Sequence, residues 1–172
     1  MLALTMRWTG IGILLSASIA LSCGGAKPKE ALATPDDSGE SGLETPETRC
    51  IAIARGARER PRDEPDKIVA KHVLVKFAGA KNASPQITRT RGEACLRALE
   101  ARKQLQAGEP FASVVATYSD EPGAATREGS VGSIRRSDVA PAFADAAFEL
   151  KPNEVSHVVE TDFGYHIILR SE

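Results

Sequence analysis

The ten residues Thr161–Arg170 constrain the fold of this chain most strongly, because they join a turn to an apolar strand. Asp162 and Gly164 favour a turn, and the aromatic and β-branched residues that follow are typical of a strand. Alternation along the strand puts His166 on the same face as Ile168. The opposite face carries three apolar side chains, those of Tyr165, Ile167 and Leu169. A buried imidazole costs free energy unless it is hydrogen-bonded, so the pattern predicts a polar partner for His166.

A second apolar strand, Ala70–Lys76, carries a histidine in the same way. His72 shares a face with Leu74, so the two imidazoles meet on one apolar floor if the two strands are neighbours. Such a pair can be structural, each ring satisfying the other in the core, or it can form the floor of a pocket. A zinc site that also uses His157 is not favoured, because His157 falls on a different strand with no carboxylate or cysteine at ligand spacing.

The N-terminal segment has the features of an export signal. Arg7 precedes an apolar run, Trp8–Leu21, which is short for a membrane span and is followed by polar chain. The run ends in Ser22-Cys23, which resembles the lipobox of bacterial lipoproteins. We therefore expect a signal peptide over 1–22 and lipidation of Cys23, with the protein anchored to a bacterial membrane, by preference the outer membrane facing the periplasm. An ordinary cleaved signal and an uncleaved single-span anchor are the alternatives.

Residues 23–66 are rich in glycine, proline, acidic residues, threonine and serine, which predicts a mostly disordered tether. One exception is the apolar island Cys50–Ala54, which can dock onto the domain that follows. Cys50 can form a disulfide with Cys95, or both thiols can stay free. Four arginines after the island indicate either a solvated stretch or contact with a membrane surface. They are Arg55, Arg58, Arg60 and Arg62.

Residues 67–172 have the hydrophobic patterning of one domain. The helices are expected over 90–107, 110–118 and 141–150. The strands are expected over 68–77, 131–135, 155–160 and 165–169. This order, β-α-α-β-α-β-β, indicates an α+β fold with a small, mostly antiparallel four-stranded sheet flanked by helices.

The composition excludes several classes of function. A net charge of −1 in 172 residues leaves no strongly basic surface for nucleic acid. The three cysteines contain no CxxC pair, which argues against zinc ribbons and thioredoxin-like redox sites. We expect a monomer that uses no cofactor and no metal.

Several segments together resemble the parvulin family of peptidyl-prolyl cis/trans isomerases, in family order and spacing over about residues 66–172. These segments are Lys71–Val75, Ser119-Asp120, Gly129–Gly132, Phe143–Leu150 and Val159–Ile168. The stretches Ile87–Thr90 and Ile168–Glu172 are similar to the eukaryotic, phosphate-directed branch. The loop that usually reads Gly-Gly-Asp-Leu-Gly in the family is Glu128-Gly129-Ser130-Val131-Gly132 here, which implies an altered pocket rim.

The resemblance implies a set of site residues. His72 and His166 would form a paired-imidazole floor, with Thr161 hydrogen-bonded to one of them. Glu121 would occupy the position where relatives carry cysteine or aspartate. Four apolar residues would line the slot for the proline ring or pack beside it, namely Val131, Val139, Phe143 and Phe148.

The same comparison implies little dependence on phosphate. Phosphate-directed relatives carry an arginine pair in the first loop, whereas this chain offers only Lys76 and Lys81 there. A lysine is a point charge without the bidentate fork of arginine. We expect a mild preference for acidic residues before proline and no large advantage for phosphoserine.

The activity implied is isomerisation of X–Pro bonds in exported or unfolded proteins, which assists their folding. No cysteine lies in the loop around Glu121, so we expect a noncovalent route in which an apolar slot and polar groups stabilise the twisted amide. The alternative is a catalytically weak chaperone module at the membrane, which binds extended chains without turning them over. The altered residues Glu128 and Val131 favour that alternative.

Overall fold

In the computed structural model, the described residues are 44–172. The predictions for the signal peptide at 1–22, for Cys23 and for the first part of the tether therefore lie outside the described residues. Within 44–172, no helix has both the length and the apolar character needed to cross a membrane.

Four strands form one antiparallel sheet. They are β1 (Ile68–Val75), β2 (Ser130–Ile134), β3 (Val159–Thr161) and β4 (Gly164–Arg170). Their order across the sheet is β2-β1-β4-β3, and all three pairings are antiparallel. This confirms the predicted α+β fold. The strand predicted over 155–160 is shorter than expected, because only Val155 bridges to Leu169 before β3 begins.

The helices cover the two faces of this sheet. They are α1 (Pro46–Ala54), α2 (Arg91–Gln106), α3 (Phe111–Tyr118) and α4 (Pro141–Glu149), with a 3₁₀ turn at Arg136–Asp138 before α4. Thr90 caps α2 reciprocally with Glu93, each side chain accepting from the other's backbone N–H. The predicted order β-α-α-β-α-β-β is present, with α1 and the 3₁₀ turn added.

Alternation along β1 and β4 divides the core in two. The side chains of Val73, Val75, Tyr165 and Ile167 pack with α1, α2 and α3. On the opposite face, Ile68, Ala70 and Ile168 pack against Phe143 and its neighbours on α4. His72 and His166 therefore lie on the face that α4 covers.

Part of the predicted tether is folded, which corrects the interpretation of its C-terminal end as disordered. Thr45 caps the first turn of α1 by accepting from Thr48 N, and Pro46 occupies the first position of the helix. Cys50 and Ala54 are buried in the larger core cluster. A disulfide joins Cys50 to Cys95 on α2, so the apolar island docks on the domain.

Candidate active site

Two buried histidines meet at the centre of the sheet. β1 and β4 are neighbours, with His72 opposite Ile168 and Leu74 opposite His166. The two imidazoles are stacked at 5.4 Å between ring centroids, and their Nδ1 atoms lie 3.1 Å apart. Each residue is 5% exposed. The sequence predicted that the two histidines meet on one floor if their strands are neighbours, and the structure shows both the pairing and the meeting.

The histidine pair belongs to a longer row of hydrogen bonds. His72 Nε2 lies 2.8 Å from Glu121 Oε2, and His166 Nε2 lies 2.7 Å from Thr161 Oγ1. An ionised carboxylate only accepts, so His72 Nε2 is the donor to Glu121. With both rings neutral, His166 Nδ1 then donates to His72 Nδ1, and the Thr161 hydroxyl donates to His166 Nε2. The row has a single direction, from Thr161 to Glu121.

The loop after α3 places Glu121 at the end of this row. Ser119 Oγ accepts from Leu74 N at 3.2 Å, and Asp120 N donates to Leu74 O at 2.7 Å. Asp120 Oδ2 also accepts from Lys76 N at 2.8 Å and forms an ion pair with Arg89. These bonds fix the loop along β1, so that the next side chain, Glu121, reaches His72.

A glycine keeps the opposite loop close to His72. Gly129 O accepts from His72 N at 2.8 Å, and a Cβ at Gly129 would lie 2.5 Å from His72 O, where no side chain fits. Glu128, which replaces a family glycine, adopts a positive φ of 53°. That conformation costs roughly 1–2 kcal/mol for a residue with a Cβ. The loop therefore keeps the backbone that a glycine would favour.

An open cavity of about 280 Å³ lies over the histidine floor. Phe143 stands on edge against both rings, 5.7 Å from His72 and 5.3 Å from His166 between centroids. Apolar side chains make most of the remaining wall: Leu74, Val131, Val139, Ala140 and Phe163. This size and lining suit one small apolar ring, with the polar row exposed at its floor.

Most of the residues predicted for the site line this cavity together. They are His72, Glu121, Val131, Val139, Phe143, Thr161 and His166. Phe148 does not line the cavity. It belongs to α4, and it is buried in the core with Arg136 over its ring. Lys76 does not line it either, because its ammonium is buried and donates to Asn82 O at 2.7 Å.

Lys81 does not line the cavity, but its ammonium lies 5.0 Å from the centroid of the ring of Phe163, which does. The sequence analysis did not identify Phe163 as a residue of the cavity wall, although its position in the turn before His166 indicated that it lies near the site. It also missed Asp138, which lines the cavity, and Arg127, which forms an ion pair with Glu121. Nothing in the sequence pattern indicated Asp138 or Arg127.

The electrostatics of the row keep its carboxylate charged and its inner histidine neutral. The hydrogen bond from His72, together with Arg127, lowers the pKa of Glu121 from 4.5 to about 2, despite partial burial. Burial, and next the neighbouring His72, lower the pKa of His166 from 6.5 to about 3. At neutral pH the Glu121 carboxylate is therefore ionised and the His166 ring is neutral.

The hydrogen-bonded row lies within a stretch of the chain that matches a known protein family. The family model described as Rotamase, the PPIC-type PPIASE domain, matches residues 72–172, which is more than half of the chain and contains the whole row. This chain belongs to the parvulin family. The match begins at His72, so α1 and the segment that follows it lie outside the part that defines a parvulin domain.

Individual parvulins agree with this assignment. The chain is 38% identical over 108 residues to the peptidyl-prolyl cis-trans isomerase pin1 of Schizosaccharomyces pombe, covering 60% of this chain and 62% of the relative. It is 42% identical over 70 residues to the foldase protein PrsA of Halalkalibacterium halodurans, covering 41% of this chain and 21% of the relative. The chain thus spans about a fifth of that foldase.

A solved structure matches the fold as well. The peptidyl-prolyl isomerase ESS1 from Candida albicans superposes with a TM-score of 0.57 at 28% identity, covering 64% of this chain and 65% of that one. The four-stranded sheet and the helices from α2 onward are therefore those of a parvulin domain.

Proposed function

We propose that this domain catalyses cis/trans isomerisation of X–Pro bonds in exported polypeptides and so assists their folding. The observation that carries the proposal is the row from Thr161 to Glu121 lying directly beneath an apolar cavity of about 280 Å³. An apolar slot alone would bind a proline ring, and a polar row alone would be a structural network. Their combination offers a place for the ring beside groups that can interact with the amide.

The chemistry requires only that the site binds the twisted amide better than either planar form. Rotation breaks the amide conjugation, so the nitrogen gains basicity and the carbonyl loses part of its polarity. Phe143 and Val139 would hold the ring, and the walls would exclude water from the carbonyl. Glu121 would supply a fixed charge near the rotating group. Within residues 44–172 both cysteines are joined in the disulfide, which supports a noncovalent route.

The binding module is the second candidate, and one feature of the rim bears on it. The altered loop keeps the backbone conformation that a glycine would favour, because Glu128 adopts a positive φ. The Glu128 carboxylate lies 3.0 Å from Lys71 Nζ. Val131 still lines the cavity. These contacts support an intact rim and favour the enzyme over the module.

Export and a lipid anchor at Cys23 are part of the same proposal. A disulfide between Cys50 and Cys95 supports an oxidising compartment, because such bonds are rare in the cytosol. Replacement of Cys23 by Ala should leave the protein unprocessed or release it from the membrane fraction. A variant that is still processed and still membrane-bound would contradict the anchor.

An isomerisation assay on proline tetrapeptides with varied preceding residues tests the activity. Val139→Ala enlarges the slot and should lower kcat/KM about three- to tenfold. Val155→Ala, a half-buried valine of the other core cluster, is the matched control and should stay within about twofold. A wild-type protein that leaves the rate unchanged would contradict the proposal.

The same panel tests selectivity for phosphate. Lys76 is committed to Asn82 O, and no arginine fork is present at the cavity wall within the described residues. Phosphoserine before proline should therefore gain little over glutamate. A preference of about a hundredfold, or 2.7 kcal/mol, would contradict this.

A further inference from the structure

The segment between α1 and β1, residues 55–66, is bound to the domain by ion pairs; we call it the strap. Arg55 donates to Glu160 through both Nε at 2.6 Å and Nη2 at 3.1 Å. Arg58 Nη1 donates to Glu149 Oε1 at 2.6 Å. Three of the four arginines that the sequence left as solvated or membrane-facing are thus used within the molecule, since Arg60 pairs with Glu64 of the strap itself.

Glu64 continues the pattern at the other end of the strap. Its carboxylate accepts from Arg136 Nε at 3.0 Å and from Arg136 Nη2 at 2.5 Å. The side chain of Glu64 is 12% exposed and that of Glu160 is 8% exposed. Carboxylates this well covered lose much of their hydration, so each depends on its arginines. Glu160 pairs with Arg55 and also with Arg91 of α2, and Glu64 pairs with Arg136 and Arg60.

Each partner of the strap belongs to, or leads directly into, an element that forms a wall of the cavity. Glu160 precedes Thr161, the residue that donates to His166. Glu149 ends α4, the helix that carries Phe143. Arg136 begins the 3₁₀ turn that leads to Val139. The three contacts therefore reach β3, α4 and the connection between β2 and α4.

Both ends of the strap are also fixed. The disulfide from Cys50 to Cys95 holds α1 on α2, and Ile68 begins β1 at the centre of the sheet. A segment whose two ends are held has less conformational entropy to lose when its middle is ordered. The strap can thus be positioned by pairs that would contribute little in a free tail.

We propose that the strap fixes the walls of the isomerase cleft, with Arg55 and Glu64 as positioning residues that act through Glu160 and Arg136. The inference rests on the proposed function for its effect on turnover. Neither residue touches the cavity. Their contribution is to hold the backbone of Thr161 and of the Val139 segment where the hydrogen-bonded row and the apolar slot need them.

Two variants of the full chain test the strap, each assayed well below its melting temperature so that all of the protein is folded. Arg55→Gln and Glu64→Gln should each lower kcat/KM about three- to tenfold. Arg62→Gln is the matched control, because Arg62 lies in the strap and forms no ion pair within residues 44–172. It should stay within about twofold.

Nuclear magnetic resonance supplies a readout that does not depend on turnover. Arg55→Gln should shift the amide signal of Thr161 and the ring signals of His166, and Glu64→Gln should shift the amide of Val139, while Arg62→Gln leaves all of them unchanged. Unchanged signals together with unchanged kcat/KM in both test variants would overturn the proposal that the strap positions the cavity walls. If the wild-type protein lacks isomerase activity, the proposed function fails, and these signals alone decide whether the strap positions the walls.

Discussion

Glu121 determines the order of protons along the row, because it is the one member that can only accept. Glu121→Gln keeps the size but removes the charge, so kcat/KM should fall about five- to fiftyfold when assayed well below the melting temperature. The melting temperature should fall as well, because His72 and Arg127 stabilise the ionised carboxylate in the folded state. Glu128→Gln is a suitable control, because Glu128 is exposed and, among residues 44–172, pairs only with Lys71. A fully active Glu121→Gln would mean that the apolar slot and water exclusion are sufficient.

His166 gives the protein a specific dependence of stability on pH. Its pKa is lowered from 6.5 in the unfolded chain to about 3 in the folded one, so the unfolded state binds the proton more tightly. The stabilisation is fully present above about pH 6.5 and is lost as the pH falls towards 3. The pKa of Glu121, lowered from 4.5 to about 2, adds a second loss that begins only below about pH 4.5.

Urea unfolding between pH 7 and pH 5 measures the first effect by comparison with a His166 variant, because His157, whose pKa burial also lowers, contributes over the same interval. The free energy of unfolding should fall over this interval in the wild-type protein, and the slope should be smaller in His166→Asn. Direct titration by ¹⁵N chemical shift should show that His166 stays neutral at pH 5. A His166 ring that takes up a proton between pH 7 and pH 6 would contradict the account.

Individual site residues could be predicted where alternation or the family pattern fixed their position. His72 and His166 followed from strand periodicity, and Phe143 and Val139 followed from the resemblance. Lys76 was placed at the rim wrongly, because its long side chain turns back to a carbonyl in its own loop. Phe148 was expected beside the slot; it is buried in the same core cluster as Phe143 but does not line the cavity, and Arg136 lies over its ring, a contact that no local pattern specifies.

At the level of elements, the helices and strands of residues 67–172 followed from hydrophobic spacing, whereas α1 did not. This helix has nine residues and buries only Cys50 and Ala54. So short a helix is marginal by itself and depends on tertiary contacts. The cap at Thr45 and Pro46 could be recognised in the sequence. The disulfide partner that stabilises the helix, however, lies 45 residues away.

The disulfide should therefore contribute measurably to stability. The bridge closes a loop of 45 residues, and replacing both cysteines by serine should lower the free energy of unfolding by about 2–4 kcal/mol. Chemical denaturation of the oxidised, reduced and double-serine proteins measures this. Equal midpoints for all three would show that the bridge adds nothing to the stability of the fold. Mass spectrometry of the unreduced protein provides the control for the bond itself.

For the whole molecule, the described chain is a parvulin domain with an N-terminal addition that is covalently and electrostatically attached to it. Residues 44–172 belong to one compact unit, and the family match starts only at His72. The order of elements was predictable because each buries one face at a recognisable period. The disulfide was one of two alternatives that the sequence left open, and the ion pairs were not predictable, because long-range pairs such as Arg58 with Glu149 leave no periodic signal.

Exchange spectroscopy on a proline peptide with comparable cis and trans populations tests the central claim most directly, because it separates turnover from binding. A catalyst speeds both directions and leaves the cis fraction unchanged, whereas a binding module shifts populations without faster exchange. We predict accelerated exchange at substoichiometric protein, reduced by Val139→Ala and not by Val155→Ala. Saturable binding of the peptide with no acceleration would contradict the account.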